Sequence, residues 1–141
     1  MRFAGKGNWQ VGLPEVKLGL IPGEGGTQLA GRIMGPSRAL MLMVTGESFG
    51  PERATELGLF DELVAPEECE KKAIAFAQTC ANGPTKAIGF MKIALTEGLE
   101  LPIHDAFAYE RHLQNQLFDT PDSKEGVAAF LERREPKFGQ Q

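Results

Sequence analysis

Residues 13–28 read LPEVKLGLIPGEGGTQ, sixteen positions that hold a carboxylate, a short apolar run, a Pro22-Gly23 turn and the pair Gly25-Gly26. Pro14 fixes its own φ and biases Leu13 toward extended backbone, so Glu15 is expected at the mouth of a strand. Val16, Leu18, Leu20 and Ile21 are expected to carry the chain inward. Pro22-Gly23 signals a turn, and Gly25-Gly26 allow close backbone approach to a ligand before a helix opens near Thr27. An acid/base group would then face backbone N–H groups at a helix N-terminus, where developing negative charge is stabilised. The residues alone equally describe a tight strand-to-helix connection beside a solvated glutamate. Neither GxGxxG nor GxxxxGK[ST] is present, so a dinucleotide or P-loop phosphate cradle is not supported.

Upstream, Arg2-Phe3-Ala4 and Trp9-Gln10-Val11 read as short strands around a Gly5-Lys6-Gly7-Asn8 turn, a hairpin leading into Glu15. Downstream, Leu29, Ala30 and Ile33 have helical spacing up to Gly35. Pro36 suits a first helical position, and Ala39, Leu40, Met43 and Val44 form the stripe of a second helix ending at Gly46. Met34, Met41 and Met43 fit an adaptable pocket or, more simply, core filling. A third helix starts in Ser48–Pro51, turns Ala54 and Leu57 inward and stops at Gly58. Leu59 to Val64 then alternates as an edge strand. Beyond Pro66 the pattern is helical, with breaks at Gly83-Pro84, between Gly98 and Pro102, and at Thr120-Pro121.

The segment PEVKLGLIPGEGGTQ resembles the signature of the enoyl-CoA hydratase/isomerase (crotonase) family. TGESFGPERATELGLFDELV and FDTPDSKEGVAAFLERREPKF are similar to family segments in the same order. The resemblance implies an α/β fold, a crotonase-like spiral of ββα units. Residues 1–66 would form the later part of the spiral, and 67–141 a helical layer that covers acyl-CoA and packs subunits into trimers or multiples of trimers. It implies coenzyme A as part of the substrate, no separate cofactor and no metal. Glu15 would be one of two family glutamates and the Gly23 N–H a group that holds the reacting water, with Pro22, Gly25 and Gly26 shaping the substrate side. Arg133, Arg134 and Lys137 form a basic cluster that by default is solvated at a helix C-terminus; the resemblance implies instead that Arg134 and Lys137 would meet nucleotide phosphates. Met1-Arg2-Phe3-Ala4 resembles the middle of a family strand. The second glutamate and both oxyanion-hole donors are therefore expected in an earlier half outside this chain, and the isolated chain is expected to be inactive. Glu24 stands where hydratases commonly have a small residue, and either repels Glu15 or points into solvent. A non-catalytic acyl-CoA-binding or assembly module is the alternative to an enzyme.

Composition narrows the partners. Apolar residues are 42% and charged residues 24%, a globular balance, and the formal net charge of −4 favours neither nucleic acid nor an anionic membrane. No apolar run approaches a membrane span and no leader pattern opens the chain, which gives a cytoplasmic expectation. Cys69 and Cys80 lie about three helical turns apart, too far to bond, and read as packing residues. His104 and His112 lack the ligand spacing of a closed zinc site.

Overall fold

Gly35 and Pro36 set the first helical corner. In the computed structural model, which describes residues 1–139, helix α1 (Gly26–Met34) ends at Gly35, whose φ of 84° and ψ of 151° break the helix, and α2 (Pro36–Thr45) begins at once with proline in its first turn. The two helices pack through Ala30, Met34 and Ala39, joined by Leu57, with Leu13, Leu42, Met43, Phe49 and Leu59 around them. Helix α3 (Pro51–Glu56) follows, with Ala54 wholly buried.

Four short strands complete this part. Phe3–Gly5 (β1) pairs in parallel with Glu62–Val64 (β4), in the register Phe3 to Glu62 and Gly5 to Val64. Val11–Gly12 (β2) pairs antiparallel with Ser48–Phe49 (β3). The expected hairpin of β1 and β2 is therefore corrected, because each strand takes a partner from the far side of the helices. Arg2 fastens β1 to that partner region. Its backbone N–H donates to Asp61 at 2.6 Å and its Nη2 donates to the Gly58 carbonyl at 3.0 Å. Trp9 Nε1 donates to the Gly5 carbonyl at 2.8 Å, and its ring meets Phe60 edge-on at 5.6 Å.

The chain forms two compact units, residues 1–74 and residues from Ala75 on, with the boundary inside helix α4 (Cys69–Ala81). The second unit contains α5 (Thr85–Gly98), α6 (Ile103–Asn115) and α7 (Pro121–Glu132), and its breaks fall at the three expected places. Helices α5 and α6 pack as a pair, and Tyr109 donates to Glu97 between them at 2.6 Å. Thr120 caps α7 by accepting the Ser123 N–H at 3.2 Å, with Pro121 in the first turn. Both cysteines are free, and no helix among the described residues is long and apolar enough to cross a membrane.

Candidate functional site

Glu15 does not sit on a strand. Residues Pro14–Leu18 form a 3₁₀ turn, because Pro14 opens a tight helical turn and Gly19, at φ 71°, closes it. The turn is fixed from both sides. Leu20 N–H donates to the Glu15 carbonyl at 3.1 Å, and Gly19 N–H donates to the Val16 carbonyl at 3.0 Å. A Cβ at Gly46, the left-handed cap of α2, would stand 2.9 Å from Val16 Cγ1, so the turn is seated directly on the end of that helix. The expected inward run is corrected: Val16, Leu18, Leu20 and Ile21 are all exposed, up to 79% at Ile21. A 3₁₀ turn lacks the alternation that would bury one face.

The Glu15 side chain is half-buried, and its Oε2 is fully buried with no hydrogen-bond partner among the described residues. A buried carboxylate oxygen without a donor is uncommon and costly, and such groups collect at sites where a ligand or water supplies the missing bond.

The glycine-rich turn closes on itself a few residues further on. Gly26 N–H donates to the Gly23 carbonyl at 2.8 Å, while Glu24 at φ 50° and Gly25 at φ 88° are both left-handed. Gly25 is needed for that backbone, and Gly26 for a close approach: a Cβ there would lie 2.9 Å from Pro22 and 3.5 Å from the Leu13 side chain. Within this chain, then, Gly26 makes room for Pro22, itself buried, rather than for a ligand. Gly23 has open space around it, and among the described residues its N–H donates to no protein acceptor. Glu24 is exposed and points to solvent. Beside the turn, Leu13, Leu29, Ile33, Met34, Phe49 and Leu59 line an apolar cavity of about 170 Å³. Of the methionines on α1 and α2, Met34 is core, Met43 is half-buried and Met41 is exposed.

The basic cluster belongs to the second unit. Arg134 is engaged within the chain: Nη1 and Nη2 reach the two oxygens of Glu125 at 2.6 and 3.0 Å, and Nε reaches Glu132 at 2.6 Å. The ammonium of Lys137 has no hydrogen bond or ion pair among the described residues. Glu125 also accepts the Lys137 backbone N–H at 2.7 Å. Arg134 and this backbone donor hold the Glu125 carboxyl down to about 2, while the Arg134 guanidinium is pushed up by its two carboxylates. The carboxylates that engage the tail give little sequence signal, since acidic residues on a helix usually face solvent. Among the described residues no group of three or more His, Cys, Asp or Glu could hold a metal ion.

A glutamate on a 3₁₀ turn before a Pro-Gly-x-Gly-Gly helix entry, followed by paired helices, defines a later portion of the crotonase fold. The family profile for enoyl-CoA hydratase/isomerase matches residues 4–141, and the chain belongs to that family. It is similar to a probable enoyl-CoA hydratase of Rhizobium meliloti, 37% identical over 129 residues, 92% of this chain and 50% of the relative. It is 35% identical to a 2,3-dehydroadipyl-CoA hydratase of Escherichia coli over 131 residues, 93% of this chain and 51% of the relative. A crystal structure from Geobacillus kaustophilus, titled as an enoyl-CoA hydratase, matches with a TM-score of 0.92 at 41% identity, covering 100% of this chain and 53% of that one. An enoyl-CoA hydratase structure from Bacillus anthracis matches with a TM-score of 0.89 at 33% identity, covering 100% and 54%. The chain thus spans about half the length of the relatives it matches.

Proposed function

We propose that this chain supplies one half of an acyl-CoA thioester site of the enoyl-CoA hydratase type, in which Glu15 exchanges a proton as water adds across the 2,3 double bond. The observation that carries the reading is the buried, unpartnered Glu15 Oε2, held on a turn anchored to α2 and followed by the glycine-rich helix entry. Hydration needs a base for water, an acid for the α-carbon and donors for the thioester enolate oxygen. In this reading Glu15 is one of the two carboxylates, and the Gly23 N–H, which has no acceptor among the described residues, helps to hold the water. Pro22, Gly25 and Gly26 keep the turn in shape. The second carboxylate and the oxyanion donors belong to the half of the fold that these 141 residues do not span. Because Arg134 is engaged by Glu125 and Glu132, Lys137 is the better candidate for the phosphates of coenzyme A.

The test pairs this chain with the N-terminal half of a relative and follows loss of the enoyl absorbance of crotonyl-CoA. The paired halves should turn over and the isolated chain should stay below about 1 per second, a low ordinary enzyme rate. Glu15→Gln in the paired system should reduce turnover by about 10² to 10⁴-fold, the usual contribution of an acid–base group. Glu24→Ala should have a much smaller effect, since its carboxylate faces solvent. Undiminished turnover in a folded Glu15→Gln protein removes Glu15 from the chemistry. A paired system that binds coenzyme A but never turns over would favour the second reading, a binding or assembly module.

A further inference from the structure

Beyond the end of α7 the chain does not leave the helix; it turns back along it. Asp122, Glu125 and Gly126 lie on one helical face at spacings of three and four residues, and each meets a residue of the segment 134–139. Glu125 holds the Arg134 guanidinium through both oxygens, at 2.6 and 3.0 Å, and accepts the Lys137 N–H at 2.7 Å. Asp122, only 5% exposed, accepts the Gly139 N–H at 2.7 Å through Oδ1. A Cβ on Gly126 would stand 3.6 Å from the Phe138 ring, so that ring lies beside the helix backbone. Arg133 begins the reversal, as the left-handed cap of α7 at φ 55°.

These contacts alternate with groups that are left to other uses. The Lys137 side chain is exposed and among the described residues its ammonium makes no hydrogen bond or ion pair, while its backbone is tied down. The Phe138 ring, with Lys86, Leu117, Ser123 and Val127, lines a cavity of about 280 Å³. We infer that Asp122 and Glu125 are positioning residues, a carboxylate clasp that fixes segment 134–139 on α7 and thereby sets where the Lys137 ammonium and the Phe138 ring stand. The clasp itself follows from contacts within the second unit; the ligand it serves rests on the acyl-CoA reading above. Arg134 then acts inside the chain as the bolt of the clasp.

Two measurements on the 141-residue chain separate the clasp from the ligand. In the first, amide hydrogen exchange is followed at Lys137 and Gly139. Both should be protected in the wild-type chain. Glu125→Gln should speed exchange at Lys137, and Asp122→Asn at Gly139, each by about tenfold or more, the effect of weakening a charge-assisted hydrogen bond. The α7 amides should keep their protection, which shows that the helix has not unfolded. Free exchange in the wild type, or unchanged protection in both variants, would overturn the clasp. In the second, coenzyme A itself is titrated into wild type, Glu125→Gln, Lys137→Gln and the double variant. Each single change should weaken binding about tenfold, and the double should be no weaker than either, because both remove one interaction. Losses that multiply would overturn the positioning role. Failure of the wild type to bind coenzyme A at millimolar concentration would overturn the acyl-CoA reading, and with it the ligand this clasp serves, while the exchange measurement decides the clasp.

Discussion

Glu15 and Glu125 show what surroundings do to one side-chain type. Glu15 keeps an oxygen buried without a donor among the described residues, whereas Glu125 receives two guanidinium nitrogens and a backbone N–H. The first arrangement leaves hydrogen-bonding capacity for a reactant, and the second uses that capacity to hold the chain in place. The second also predicts a pH response. The Glu125 carboxyl is lowered from its ordinary 4.5 to about 2, so its ionised form favours the folded tail. A lowered carboxylate contributes fully above its unfolded value and loses that contribution as pH falls through the folded one. The groups facing it are the Arg134 guanidinium, which Glu132 shares, and Lys137 through its backbone N–H and its charge. Protection of the Lys137 amide should therefore hold at neutral pH and disappear between pH 4.5 and about 2. Exchange measured against pH checks this, and Glu125→Gln should remove the step.

Among the elements, the seating of the Glu15 turn on α2 is the contact on which the proposed site depends. Gly46 is left-handed at φ 59° and has Val16 and Lys17 against it. Gly46→Ala should lower stability by about 1–2 kcal/mol from backbone strain alone, with more from displacing Val16. Gly31, inside α1 with nothing within 4 Å of an added Cβ, is the matched control. Gly31→Ala should raise stability by about 0.5–1 kcal/mol through helix propensity. Urea midpoints give the order, and equal effects of the two changes would show that the seat does not matter. Helices α1 and α2 were legible because Gly35-Pro36 punctuates them locally, as Gly83-Pro84 and Thr120-Pro121 do later. Strands near β1, β2 and β4 were legible too, but their pairing was not, since β1 and β2 are three and two residues long and their partners lie beyond the intervening helices. Proximity in sequence favoured a hairpin, and only tertiary pairing corrects it. The motif around Glu15 marked the candidate site through its glycines and prolines, but a single 3₁₀ turn has no periodicity to read, and the α2 end it is seated on, at Gly46, lies thirty residues away. The Asp122 and Glu125 contacts escaped because a helical face of acidic residues has the same pattern whether solvent or a returning tail meets it.

At the scale of the molecule, the balance of buried and exposed apolar groups sets the behaviour of the chain in solution. Among the described residues no large side chain is fully buried, and the buried apolar set is mostly alanine with Met34, Leu57 and Leu113. By contrast Leu18, Ile21, Phe130 and Leu131 are each more than 70% exposed, and Met91, Leu95, Leu99 and Ile103 leave apolar surface on the α5–α6 pair. Burial of apolar area contributes about 25 cal/mol per Å², so exposure on this scale favours association over a free monomer. The two-stranded pairings add strand edges that a neighbouring chain is able to cover. The isolated chain is therefore expected to self-associate at micromolar concentration, and light scattering should give a mass well above 15.3 kDa. A monodisperse monomer would overturn the expectation. Supplying the N-terminal half of a relative as a second polypeptide should cover part of the first unit's apolar surface, among which Leu18 and Ile21 flank the Glu15 turn. The mixture should bind less of an apolar fluorescent dye than the sum of the separate chains and melt at a higher temperature, because a partner that binds only the folded form stabilises it by mass action. Unchanged dye binding and melting, with both chains present in excess of micromolar, would show that the exposed apolar face of the first unit is not a complement for the other half of the fold.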